Sequence, residues 1–213
     1  MTIADQSIGE FFGAVASGAV TPSGGAVAAV TGGAGAALCE MACLHTVKTE
    51  GYEDVEAEFT ELGEQFRRRR QELLTLADED VTAVETVRKA FDTSDLDTSN
   101  QKRQHAMEEA TRVPLDVAEG CLEVLDGVPV VIASGNENAL ADAVTGAFLA
   151  HGALLASTAT ARNNLASFND EQFVSQSLSR INGIEDAADT QFEEIRTAVE
   201  ERAPAVRKSF ETA

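Results

Sequence analysis

The sequence predicts an all-α fold, a bundle of about six mostly long helices. Three observations lead there. Hydrophobic residues make up 44% of the chain, yet they are mainly Ala and Val, with no Trp and a single Tyr, Tyr52. Proline is confined to Pro22, Pro114, Pro129 and Pro204. Leu62, Phe66, Leu73, Leu76, Ala77, Val84, Val87 and Phe91 keep one apolar stripe at helical spacing over a long central stretch. A chain of 213 residues with no internal repeat and no linker suits one domain, 1–213.

The elements follow in order. A short helix is expected over Ser7–Ala16, with Ile8, Phe11, Phe12 and Val15 on one face. Next comes TPSGGAVAAVTGGAGAALCEMAC, a Thr-Pro-Ser turn leading into a helix over Gly24–Val47 with almost nothing larger than Val in its first five turns. Such a helix buries little area of its own, but it lets another backbone or a flat ligand come close. A close-packed core helix and a ligand-lining helix both fit it. A polar corner, Lys48–Asp54, precedes the long helix over Val55–Phe91. Asp92–Asn100, rich in Asp, Ser and Thr, reads as a loop. A fourth helix runs over Gln101–Leu125 with a kink at Pro114. Asp126–Ser134 reads as a turn followed by the apolar piece VPVVIA, a strand by composition without a visible partner. The fifth helix is expected over Asn136–Asn164. After a turn at Ser167–Asp170, the last covers Glu171–Ala203.

The formal net charge is -20, from 36 acidic and 16 basic residues. A field of that sign repels nucleic acid and anionic membrane surfaces. The charge is spread along the whole length and Arg outnumbers Lys, a composition that resembles adaptation to high salt, where self-repulsion is screened. Cys39, Cys43 and Cys121 are odd in number and no secretory signal precedes them, so a reducing cytoplasm is expected. Glu40 and His45 share no clean face with the two nearer thiols, so no metal site is expected. Residues 24–44 are apolar enough to suggest a membrane span, but they contain Glu40 and several glycines, and no second span is expected after them.

Two aspartates stand out. Asp80 falls in the apolar stripe of the long helix, with Ala77, Ala83, Val84 and Val87 on its face. Asp142 shares a face with Ala139, Gly146, Leu149 and Ala153, just after Gly135-Asn136-Glu137-Asn138. A carboxylate facing a core is costly unless partnered or used. Each therefore reads either as a structural group bound to backbone N–H or as a catalytic acid or base. Asn136 and Asn138 read either as helix caps or as amides that contact a heterocycle. His45, His105 and His151 form no pattern. With no Gly-x-Ser-x-Gly elbow, P-loop or dinucleotide fingerprint, a covalent nucleophile is not indicated.

These residues resemble a known family. TPSGGAVAAV resembles the opening of the formiminotransferase-cyclodeaminase C-terminal domain, an opening shared by free-standing methenyltetrahydrofolate cyclohydrolases. GYEDVEAEF at 51–59, LADEDVTAVETVRKAF at 76–91, ATRVPLDVAEGCLEVL at 110–125, GNENALADAVTGAFLAHGAL at 135–154 and ARNNLASFNDEQF at 161–173 resemble the family's later segments in the same order, over roughly residues 5–200. The resemblance implies an all-helical homodimer with a folate cleft near its interface. It also implies action on tetrahydrofolate one-carbon adducts with no metal or redox cofactor. Carried over position by position, Asp80 and Asp142 are the implied catalytic residues. Thr21, Pro22, Gly24, Gly25, Asn136 and Asn138 are the implied substrate contacts. Ser23 stands where the family has a Gly, and Lys48 stands with Thr49, Glu50 and Gly51 where the family carries several lysines. A chain standing alone is expected to hydrolyse 5,10-methenyltetrahydrofolate to 10-formyltetrahydrofolate. The alternatives are formiminotetrahydrofolate cyclodeaminase, which releases ammonia, and a folate-binding or structural helical dimer without catalysis.

Overall fold

A computed structural model describes residues 2–92, 96–168 and 170–202. The first element is a 3-10 turn, Ile3–Asp5. Six α-helices follow: α1 Ile8–Val15, α2 Gly24–Val47, α3 Glu56–Asp92, α4 Leu96–Ser134, α5 Leu140–Leu165 and α6 Glu171–Arg202. Short 3-10 turns, Glu53–Val55 and Glu137–Ala139, lead into α3 and α5. No strand occurs among the described residues. Residues 93–95 of the expected loop, Asn169 of the expected turn and the expected last helical residue Ala203 lie outside the described residues.

Local chemistry starts α1 where expected. Ser7 Oγ accepts the Glu10 N–H, and the Glu10 carboxylate accepts the Ser7 N–H at 2.9 Å, a reciprocal cap. Helix α2 has the expected bounds, and its buried residues are all Gly, Ala, Cys or Thr. It packs between α3 and α5. Gly32 meets Ala153, Gly35 meets Gly146 and Ala150, and Cys39 meets Gly146, so α2 and α5 run antiparallel. A Cβ on Gly35 would lie 2.7 Å from the Gly146 carbonyl oxygen, which is why this seam has no room for Ala at that point. Phe59, Phe66 and Leu73 of α3 and Val117, Val124, Leu125 and Val128 of α4 complete the main core.

Two expectations need correction. The fourth helix does not end near Leu125; α4 continues to Ser134, and VPVVIA is helical. Val128, Val131 and Ile132, at i, i+3 and i+4, are all buried on one helical face. Pro114 and Pro129 lie inside this helix. A helical proline leaves the carbonyl four residues earlier without its N–H donor. For Pro114 that carbonyl belongs to Ala110, and Asn164 Nδ2 of α5 donates to it at 2.7 Å. Asp92 is also the last residue of α3, and Leu96–Asn100 belong to α4. The second correction concerns membrane-length apolar helices. Both Gly24–Val47 and Glu137–Leu165 are long and apolar enough to cross a membrane, and half of each apolar window is buried in the bundle.

Helix α6 lies against α4 and is held by Arg180. Its guanidinium donates to Glu119 at 2.6 Å through both Nε and Nη2, and to Asp116 at 2.8 Å. Arg70 of α3 donates to Glu40 of α2 at 2.8 Å across their seam.

Candidate active site

The Thr-Pro-Ser turn enters α2 through a cis Thr21–Pro22 peptide. Ser23 occupies the N-cap position. Serine there ordinarily accepts an amide of the first turn, but Ser23 makes no such bond. Asp80, 57 residues later on α3, serves instead. Its Oδ2 accepts the Ala26 N–H at 2.9 Å and the Ser23 Oγ–H at 3.2 Å. The helix start thus presents its free amides and positive dipole end to a carboxylate from another helix. Asp80 is only 4% exposed. Burial pushes its carboxyl above the usual range, and the bonds from Ser23 and Ala26 offset part of that rise.

Gly25 makes this approach possible. A Cβ there would sit 2.0 Å from Asp80 Oδ1. Gly24, one residue earlier, is exposed and has nothing within 4 Å of a notional Cβ, so its surface is open to a ligand. Thr21 and Pro22 are half-buried beside them. Thr21 lines a cavity of about 260 Å³ with Val20, Glu85 and Arg88.

The other motif residues lie at the far end of α2. The Asn136 backbone N–H donates to Thr46 Oγ1 at 2.9 Å, and its Nδ2 donates to Thr49 Oγ1 at 2.8 Å. Asn136 Oδ1 accepts from the Asn138 backbone N–H at 3.0 Å. Asn136 is buried and committed to joining the α4–α5 corner to the end of α2, while Asn138 is exposed. Asp142 is half-buried in the first turn of α5, where its charge also suits the helix dipole. From Gly25 to Thr46 the rise of α2 is about 30 Å. Within this chain the structure therefore brings Thr21, Pro22, Gly24, Gly25 and Asp80 together at one end of α2, and Asn136, Asn138 and Asp142 towards the other.

Sequence reading missed Ser23 as a partner of Asp80, and it missed Thr46 and Thr49 as partners of Asn136. The unusual Ser in a Gly-rich turn was the one available signal. Among the described residues, no three His, Cys, Asp or Glu side chains are grouped to hold a metal ion. Cys39, Cys43 and Cys121 are free and buried, and burial pushes the Cys43 and Cys121 thiols up to about 12.

Comparison with known proteins places this geometry in context. The formiminotransferase-cyclodeaminase family profile matches residues 7–183. A methenyltetrahydrofolate cyclohydrolase of Methylorubrum extorquens is 31% identical over 185 residues, spanning 84% of this chain and 89% of that protein. The formimidoyltransferase-cyclodeaminase of Sus scrofa is 29% identical over 182 residues, 83% of this chain but 34% of the pig protein. The crystal structure of formiminotetrahydrofolate cyclodeaminase from Thermotoga maritima superposes with a TM-score of 0.87 at 31% identity, covering 93% of this chain and 98% of that one. A match over most of the chain in sequence and in fold leaves one conclusion: this chain belongs to the formiminotransferase-cyclodeaminase family.

Proposed function

We propose that the protein is a methenyltetrahydrofolate cyclohydrolase of one-carbon metabolism, acting as one helical domain per subunit of a homodimer. The observation that carries the activity is the near end-to-end match with the Methylorubrum extorquens cyclohydrolase. The buried, amide-bound carboxylate of Asp80 supplies the chemistry. Water adds to the cationic methenyl carbon and forms a C–O bond, and Asp80 takes the proton that water loses. The tetrahedral adduct then breaks its bond to N5 and Asp80 returns a proton to that nitrogen; the adduct hydroxyl gives its own proton to solvent as the C=O forms, and the formyl group stays on N10. A carboxyl raised by burial suits such two-way transfer. Its negative charge also favours the cationic substrate. Gly24, with open space above it, and Thr21 and Pro22 offer a surface for the flat ring system. The folate adduct is substrate, and the scheme needs no metal or redox cofactor.

The dimer completes the site. A cleft that includes Asp142, Asn136 and Asn138 with Asp80 requires a second copy, because within one protomer Asp80 sits at the start of α2 and the others lie towards its far end. The outward face of α2 supports that pairing. Val27, Thr31, Ala34, Leu38 and Met41 run along it uncharged, in a chain of net charge -20. Leu149 of α5 and the aromatic residues Phe11 and Phe12 of α1 adjoin it around a cavity of about 430 Å³. Two α2 helices crossing antiparallel at their midpoints set the Asp80 end of one against the Asn136 end of the other. Mixing Asp80→Asn with Asp142→Asn subunits then restores activity that neither variant has alone. No restoration on mixing excludes the shared site.

A second reading, formiminotetrahydrofolate cyclodeaminase, is favoured by the Thermotoga maritima structure. There N10 attacks the formimino carbon and ammonia leaves, with the same proton carrier. Supplying each substrate separately and following methenyl absorbance decides between them. Loss of absorbance from the methenyl compound marks the hydrolase. Gain from the formimino compound marks the deaminase. No change with either leaves a folate-binding or structural dimer. The reading also places the protein in a cytoplasm of high salt, away from nucleic acid and membrane. A melting temperature that does not rise from low to molar salt removes the halophilic part.

A further inference from the structure

Ser23 is an N-cap serine that gives up capping. Its hydroxyl donates to Asp80 Oδ2 at 3.2 Å, and the same oxygen accepts the Ala26 amide at 2.9 Å. Two donors from the start of α2 thus converge on one carboxylate oxygen. The other oxygen, Oδ1, lies over Gly25, close enough that only a glycine fits beneath it. Gly25 and the Ala26 amide are backbone features of the turn. Among the described residues, Ser23 is the one side chain that hydrogen-bonds Asp80.

We propose that Ser23 is a positioning residue for Asp80: its hydroxyl locks the carboxylate orientation, reserves Oδ2 for structure and leaves Oδ1 to exchange the proton. This rests on Asp80 being the proton carrier of the proposed function.

Physical chemistry supports a role beyond shape. A hydroxyl that donates to a carboxylate stabilises its ionised form. Ser23, with the Ala26 amide, opposes the rise caused by burial. Charges on the surrounding elements are engaged elsewhere. Asp78 accepts the Ile3 N–H at 2.8 Å, and Glu79 faces Arg112 of α4, which also pairs with Glu109. On α3, Glu85 pairs with Lys89 and Arg88 with Asp92. Asp5 of the N-terminal turn bonds Thr2. Helix α2 carries no charged residue before Glu40, and Arg162 near the end of α5 pairs with Glu185 of α6. Hydrogen bonding by Ser23 is therefore the adjustable influence on Asp80.

The test compares Ser23→Ala, Ser23→Gly and Ser23→Thr with the parent and with Asp80→Asn. For each, the pH profile of kcat/KM on 5,10-methenyltetrahydrofolate is measured. The Asp80 side-chain carboxyl of the unliganded protein is also titrated by carbon NMR where Asp80 is present. Losing the hydroxyl removes a donor to the ionised form, so the acidic limb and the titration midpoint both move to higher pH in Ser23→Ala and Ser23→Gly. Turnover on the acid side falls roughly tenfold, the scale of one hydrogen bond to a charged group. Ser23→Thr keeps the hydroxyl and restores both. If the limb and the midpoint stay at the parent's values while Asp80→Asn is inactive, Ser23 is only a turn residue and the proposed function stands. If Asp80→Asn turns over like the parent, the proposed function fails and this inference fails with it.

Discussion

Gly25 and Asp80 fit together with no room for a methyl group: Asp80 Oδ1 lies 2.0 Å from where a Gly25 Cβ would stand. The two residues are far apart in sequence, and their contact seats the carboxylate on the first turn of α2. The small side chains of this helix therefore have a specific local use at its start, in addition to close packing further along.

Gly25→Ala forces Asp80 off the Ala26 amide or pushes α3 away. Overpacking of this kind costs about 1–3 kcal/mol, and here it also removes a buried hydrogen bond. A clear drop in melting temperature and loss of turnover are expected. Gly24→Ala meets nothing within 4 Å of its Cβ and should melt close to the parent. Equal melting of the two variants contradicts the tight fit at Gly25.

Asp80 also makes a prediction about stability against pH. Its folded carboxyl is raised above the usual aspartate range, chiefly by burial. The folded chain then holds that proton more tightly than the unfolded chain. The contribution is fully present below the unfolded value and is lost as pH rises through the folded one. Asp80→Asn removes this loss, so at neutral pH it should melt at or above the parent while losing turnover. Near pH 3 the advantage should vanish. Thermal melts of both proteins at acid and neutral pH measure the difference, and a variant that loses stability most at neutral pH shows the ionised carboxylate to be a net structural anchor.

Asn136→Ala should act at the opposite end of α2. It removes the donor to Thr49 and the acceptor for the Asn138 N–H. Breaking a buried polar cluster costs about 1–3 kcal/mol. Chemical denaturation should show a lower midpoint with an unchanged slope. An unchanged midpoint means that the corner is held by the Asn136 backbone bond to Thr46 alone.

The cysteines should be silent in the native protein. All three are buried and their thiols are pushed up, Cys43 and Cys121 to about 12. Thiolate is the reactive form. A chromogenic thiol reagent should therefore find no fast-reacting group in the native protein and all three after unfolding. Rapid native labelling of any one of them shows that its helix seam opens.

How much of this was legible follows from how far each interaction reaches along the chain. The bounds of α2, Gly24–Val47, were readable because Gly-rich turns and the 3.6-residue period act within a few residues. Asp80 was conspicuous for the same reason, as a charge on an apolar stripe. The continuation of α4 through Pro114 was not readable. The carbonyl that proline leaves free at Ala110 is satisfied by Asn164, 54 residues away.

The sequence by itself determined an all-helical chain, its small-residue helix and the residue types available for acid–base chemistry. These depend on local periodicity and composition. Tertiary structure alone decided that Asp80 caps α2 through the Ala26 amide, that Ser23 serves the carboxylate and not the helix, and that Asn136 is tied to Thr46 near the far end of α2. Helix pairing decides such matters. A long rigid helix separates the residues at its two ends, however closely they match one motif, and joins those that neighbouring helices bring alongside.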